Sequence, residues 1–242
     1  MEILDAPAFV IHMDIPESRN RRPFFTTNMM KAGFKDIRTV DGVDVRTDRL
    51  LSNAKEEFGV MNIHPDYSRG QLGATFSHMK AWKSFLDTGL PVATIWEDDV
   101  FFHPQWDTLF HQFYKATPKD YDLIFMGNQS NPKGNTDMKT DINSLPCFCN
   151  HSYVITRKGA EILLTLIQVT TKFKSLYTMD CMIIDYMKCM KSWIHLPFFK
   201  WYCWNGRRYP CKESENTLSV RNDGLVFQSD VFPSIADFKK ID

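Results

Sequence analysis

The spacing of apolar and polar positions predicts most of the elements of this chain before any other property is consulted. Ala8-Phe9-Val10-Ile11-His12-Met13 is an apolar run of strand length. A polar turn with Arg19, Arg21 and Arg22 follows. Pro23 suits the first turn of a helix, which then runs to Ala32 with Gly33 closing it. Phe34 to Val40 alternates as a second strand, and Asp41-Gly42 turns it. Residues 44–69 are polar and irregular, with one short helix around Arg49 to Phe58. From Gly70 the helical period sharpens. Leu72, Phe76, Met79, Trp82 or Lys83, and Leu86 recur until Gly89 and Pro91 end the helix.

That helix feeds Pro91-Val92-Ala93-Thr94-Ile95-Trp96, a buried strand by its composition, which climbs into Glu97-Asp98-Asp99 before turning apolar at Val100. Further on, a helix covers Trp106 to Lys115, and a strand covers Tyr121 to Gly127. Asn128 to Leu145 is polar and has the character of a mobile loop. Cys149 to Ile155 forms a strand, with Thr156 placed as an N-cap. Ala160, Leu163, Leu164 and Ile167 give an i, i+3, i+4, i+7 stripe. A last helix spans Thr178 to Met190 and carries Asp180 and Asp185; the tail after Pro197 is aromatic, then polar. Strands interleaved with helices predict one α/β domain over residues 1–242, less regular over 197–242.

Three adjacent acids at a strand end repel one another, and burial disfavours their charged forms. An isolated triplet is commonly a solvated turn. A hard divalent cation sharing a phosphate-bearing ligand is the alternative, because such ions take carboxylate and phosphate oxygens. A strand, a basic turn and a helix in succession form a common anion site, since helix N–H groups and guanidinium forks both favour phosphate. His78 lies mid-helix on a face with Trp82 and Phe85, where a hydrogen-bonded core histidine is the plain reading.

Charge adds little: 29 basic and 29 acidic residues cancel, which gives no support for nucleic-acid binding. No run reaches the length of a transmembrane helix, and Met1 to Pro7 lacks the pattern of a secretory signal. These features predict a cytoplasmic protein, with peripheral membrane association left open. Six cysteines without a CxxC pair predict free thiols in a reducing compartment. The sequons at Asn128 and Asn150 are expected to be chance matches.

Several segments, in order, resemble glycosyltransferase family 25. Phe9 to Met13 with Arg19 and Arg22 is similar to its opening "V-I-N-L-x-x-x-x-x-R" element. Val40 to Asp44 is similar to its "A-v-D-G" turn. Gly70-Gln71-Leu72-Gly73-Ala74-Thr75-Phe76-Ser77-His78 resembles "G-E-x-G-C-x-x-S-H". Gly89-Leu90-Pro91 with Trp96-Glu97-Asp98-Asp99-Val100 resembles "G-x-P-x-x-L-x-L-E-D-D-x". Tyr121 to Gly127 and Ser152 to Ala160 are similar to "W-D-x-I-x-L-G" and "x-A-Y-x-I-S-x-x-G-A". The likeness covers roughly residues 8–190. His12, Gln71, Ala74, Trp96 and Ser152 depart from the usual Asn, Glu, Cys, Leu and Ala.

The resemblance implies a GT-A-like fold, a Rossmann-like mixed sheet flanked by helices. It implies an inverting, metal-dependent transferase that moves a hexose, galactose or glucose, from a UDP-sugar to a hydroxyl of a glycan or a hydroxylysine-type protein. On that reading Glu97 and Asp99 hold Mn²⁺ or Mg²⁺, and Asp98 meets the ribose or the donor sugar. Strand alternation would let the outer two acids converge while the middle one turns away. Arg19 and Arg22 would grip the nucleotide, Ser77 and His78 would line the donor pocket, and Asp180 or Asp185 would be the base. A degenerate member that only binds nucleotide sugar or glycan is the alternative. A metal-dependent phosphohydrolase is a third reading, and it leaves Ser77-His78 unexplained.

Overall fold

The computed structural model describes residues 2–102, 105–130, 140–141, 147–176, 178–186, 189–194 and 226–228. β1 (Ala8–His12) is central to one half of a seven-stranded sheet. It pairs in parallel with β2 (Ile37–Asp41) and with β3 (Val92–Glu97). β7 (Cys147–Thr156) joins β3 antiparallel, and β5 (Leu123–Ser130) joins β7 antiparallel. β8 (Ser192–Ile194) lies parallel to β5, and β6 (Thr140–Asp141) closes the edge antiparallel. The order is β2-β1-β3-β7-β5-β8-β6. The carboxyl ends of β1, β2, β3, β5 and β8 therefore share one edge of the sheet. A separate two-stranded ladder pairs β4 (Val100–Phe102) with β9 (Val226–Gln228).

Alternation along the strands divides the core into two layers. Phe9, Ala93, Ile95, Phe125, Tyr153 and Ile155 face one side. There they meet α2 (Asp48–Phe58), α3 (Arg69–Asp87), α5 (Arg157–Thr170) and α6 (Met179–Tyr186). Val10, Trp96, Ile124, Met126 and Val154 face the other, with α1 (Arg21–Lys31) and α4 (Trp106–Ala116). The central strands β1, β3, β5 and β7 thus bury residues on both faces, as strands in the middle of α/β sheets do.

The helix ends follow from local chemistry. Thr156 accepts a hydrogen bond from Gly159 N and starts α5, as its position predicts. Ser68 and Gln71 form a reciprocal capping box at the start of α3. Gln71, one of the departures from the family pattern, is thus occupied in holding the helix end. Gly33 and Gly59 take left-handed φ values of 92° and 67° just past α1 and α2, where a β-carbon would be strained.

Three expectations need revision. α1 begins at Arg21 and not at Pro23, so Pro23 is the third helical residue, still within the first turn where its missing N–H costs no intrahelical bond. β5 runs on to Ser130, so the first residues of the expected loop are strand, held by β7. β3 ends at Glu97, and Asp98 and Asp99 form the turn before β4, so strand alternation does not govern where these two acids point. α6 occupies Met179–Tyr186 of the expected 178–190 helix. The tail after Pro197 lies outside the described residues except for β9. Of the cysteines, Cys189 is a free, exposed thiol. No helix among the described residues is long and apolar enough to cross a membrane.

Candidate active site

A cleft of about 760 Å³, counting the part open to solvent, lies at the carboxyl edge of the sheet. The ends of β1 and β3, the loop Gly42 to Arg46, the first three turns of α3 and the three acids line it. Ligands of open α/β sheets bind at this edge. Two close approaches shape the floor. A β-carbon on Gly73 would lie 3.0 Å from Val43 O, and one on Gly42 would lie 3.2 Å from Met13 Cβ. Gly73 lets the 42–46 loop sit against α3, and Gly42 lets it sit against the end of β1. Ser77 pins that loop by accepting from Val43 N at 2.8 Å while donating to Gly73 O at 2.6 Å.

The acids divide between the two faces of the sheet. Glu97 follows Ile95 on the α3 side, where its Oε1 lies 3.3 Å from His78 Nε2. His78 Nδ1 lies 2.8 Å from the Tyr153 hydroxyl, which in turn accepts from Trp82 Nε1 at 2.8 Å. Asp98 turns to the α1 side. Its Oδ2 lies 2.6 Å from His12 Nδ1, and its Oδ1 accepts from Arg21 Nη1 at 3.0 Å. The same Nη1 reaches Asp99 Oδ2 at 3.4 Å. Arg21, Asp98 and Asp99 are all buried.

Asp98 and Asp99 are buried and Glu97 is half-buried, which is costly unless cations compensate them. Desolvation works to raise the pKa of Glu97. The His78 hydrogen bond and the nearby Arg21 charge outweigh it and hold Glu97 below the ordinary carboxylate value. Burial, with the Glu97 charge adding to it, pushes the Tyr153 hydroxyl well above its ordinary pKa, so it remains a proton donor at neutral pH.

Glu97, Asp98, Asp99, Ser77 and His78 are therefore gathered around one cleft. Arg19 and Arg22 are exposed and do not line it, whereas Arg21 does. Asp185 is exposed on α6 and does not line the cleft; Asp180 is in the first turn of α6, and its side chain is outside the described residues. The sequence reasoning passed over Arg21, although a signal was present. Arg21, Phe25 and Met29 are spaced i, i+4, i+8, and all three are buried on one face of α1. Arg46 and Arg69 were also passed over. Both line the cleft, forked to Asp44 and paired with Asp48 respectively.

A hard divalent cation suits this donor set. Asp44, Glu97, Asp98 and Asp99 line the cleft with Arg21, Arg46 and Arg69, and carboxylate oxygens are the donors that such an ion takes. Among the described residues, no three ligand side chains are gathered around a single point.

Comparison with known proteins identifies a family and relatives of low identity. The family model "Glycosyltransferase family 25 (LPS biosynthesis protein)" matches residues 6–183. Human procollagen galactosyltransferase 2 is 25% identical over 173 residues, 64% of this chain and 26% of that protein. A bovine protein described as a probable inactive glycosyltransferase 25 family member 3 is 26% identical over 146 residues, 52% of this chain and 24% of that protein. The matched parts are thus about a quarter of these relatives' length. A solved glycosyltransferase involved in glycosylation of the major capsid of PBCV-1 superposes with a TM-score of 0.51 at 7% identity, covering 93% of this chain and 94% of that one. That likeness is one of fold, the mixed α/β sheet flanked by helices of GT-A-like transferases.

Proposed function

The chain belongs to glycosyltransferase family 25, and from that premise we propose that it transfers a hexose, galactose or glucose, from a UDP-sugar to a hydroxyl of a glycan or hydroxylysine-type protein acceptor. The observation that carries this reading is the carboxylate wall Glu97-Asp98-Asp99 at the carboxyl edge of the sheet, with buried Arg21 set into it. The human relative's name supports galactose as the first donor sugar to try.

In this reading the cleft binds the nucleoside diphosphate part of the donor. Arg21, with Arg46 and Arg69 at the walls, supplies positive charge to the diphosphate. Exposed Arg19 and Arg22 remain candidates for outer contacts with the nucleotide. Asp98, fixed by His12 and Arg21, presents oxygen to the ribose or the donor sugar. Ser77 sets the 42–46 loop, and His78 sets Glu97. Glu97 and Asp99 would hold Mn²⁺ or Mg²⁺; such an ion, when bound, supplies Lewis-acid neutralisation of the leaving diphosphate. The family resemblance supports inversion, with the acceptor hydroxyl attacking the anomeric carbon opposite the diphosphate. A carboxylate on α6, Asp180 or Asp185, would take the acceptor proton.

One observation favours a second reading. Asp98 and Asp99 already share Arg21, and a bovine relative is described as probably inactive. A member that binds nucleotide sugar without turnover would be compatible with the same pairs. The deciding experiment is a panel of UDP-sugars with Mn²⁺, measuring UDP release, alongside calorimetry of UDP binding. Turnover that is lost on chelation and restored by Mn²⁺ supports the transferase. UDP binding with no turnover of any donor supports the binding module.

A further inference from the structure

Trp82, Tyr153, His78 and Glu97 form a continuous hydrogen-bonded row that links α3, β7 and β3. The indole Nε1–H can only donate, so the Tyr153 oxygen accepts at the Trp82 contact. The one phenolic proton is then left for the other neighbour of that oxygen, His78 Nδ1 at 2.8 Å. An Nδ1 that accepts obliges a neutral imidazole to carry its proton on Nε2. Nε2 is the atom that lies 3.3 Å from Glu97 Oε1. Trp82, Tyr153 and His78 are all buried, with the His78 and Tyr153 rings stacked 5.8 Å apart, so neither ring can turn without disturbing the core.

We propose that Tyr153, steered by Trp82, is a positioning residue that locks His78 in its Nε2–H tautomer and thereby aims the Glu97 carboxylate into the cleft. Without the Tyr153 hydroxyl, the ring can carry its proton on either nitrogen. An Nδ1–H tautomer sets two lone pairs against each other at the Glu97 contact, and the carboxylate swings. The consequence for activity rests on the proposed donor site; the tautomer itself does not.

The test is nitrogen NMR of protein labelled with ¹⁵N-histidine, which separates protonated from unprotonated ring nitrogens. His78 is assigned by its absence from the His78→Gln spectrum. The wild-type protein is expected to show Nε2 protonated and Nδ1 bare; a protonated Nδ1 overturns the proposal, and this measurement needs no variant of Tyr153. Tyr153→Phe, which keeps the ring and removes the hydroxyl, is expected to mix the two tautomers. It should also lower kcat/KM for the donor by about 10–100-fold, the usual effect of losing a partner behind a site ligand, with the KM for acceptor unchanged. Unchanged His78 signals in that variant overturn the proposal. So does a lower melting temperature with normal kcat in the folded fraction. If wild-type protein turns over no UDP-sugar, the proposed transferase reading fails, while the spectra still decide the tautomer.

Discussion

Arginines 19, 21 and 22 are nearly equivalent on paper, and the fold separates them. Arg21 is 2% exposed and holds Asp98 and Asp99, whereas Arg19 and Arg22 are in solvent. Arg21→Met removes the cation from two buried acids and should destabilise the protein by about 3–5 kcal/mol, measured by urea unfolding. Arg22→Ala should change stability by no more than about 0.5 kcal/mol. Equal effects of the two substitutions would show that the placement of Arg21 is wrong. His78 satisfies both readings that the sequence leaves open, since it is a buried, hydrogen-bonded histidine and also a neighbour of Glu97. His78→Ala is expected to lower activity more than stability, compared by kcat in the folded fraction and by melting temperature. The role of His12 was not legible, because its partner Asp98 is 86 positions away. Arg21 was legible from its spacing to Phe25 and Met29. Setting the helix start at Pro23 hid it in the turn.

At the scale of elements, the junction between β5 and α5 shows how tightly the sheet edge opposite the site is built. A β-carbon on Gly159 would lie 2.4 Å from Asp122 O and 3.1 Å from Ile155 Cγ1. Backbone cannot move aside cheaply there, because Asp122 also accepts from Lys191 N at 2.9 Å and so ties β5 to the start of β8. Gly159→Ala should therefore cost about 1–3 kcal/mol by overpacking. Thr156→Ala, which deletes the α5 cap, should cost about 0.5–2 kcal/mol. Denaturant melts measure both; a neutral Gly159→Ala would mean that the helix and strand are further apart than described. Helices α3 and α5 were legible because their apolar periods are local, and α5 also because Thr156 caps it. β6, β8 and β9 were not: they are two or three residues long and acquire strand geometry only from partners distant in sequence. The acids illustrate the same limit, since the expected alternation fails once β3 stops at Glu97 and the chain turns.

For the whole molecule, the placement of the cleft follows from topology. Five strands end at one edge, and residues that carry the family resemblance, from β1, the Gly42 loop, α3 and the acids, meet there although they span positions 11 to 99. The family and the sheet class were legible because these motifs keep their order. The acceptor was not, because no segment of recognised pattern addresses it. Glu97 gives the stability of the folded state a pH dependence at this edge. Glu97 titrates lower in the folded protein than in the unfolded chain, so its contribution to stability is fully present above the ordinary glutamate pKa and is lost as pH falls through the lowered folded value. Glu97→Gln should flatten the acid limb of a plot of stability against pH, measured by urea unfolding across that range.

The central claim is that the carboxylate wall is the donor-binding, reacting end of the molecule. Its most direct test is UDP release from UDP-galactose and UDP-glucose with Mn²⁺, comparing wild-type protein with Asp99→Ala confirmed folded by circular dichroism. The account predicts turnover by the wild type and a loss of about 100-fold or more in the variant, the scale expected when a group that stabilises transition-state charge is removed. Full activity in folded Asp99→Ala would contradict it.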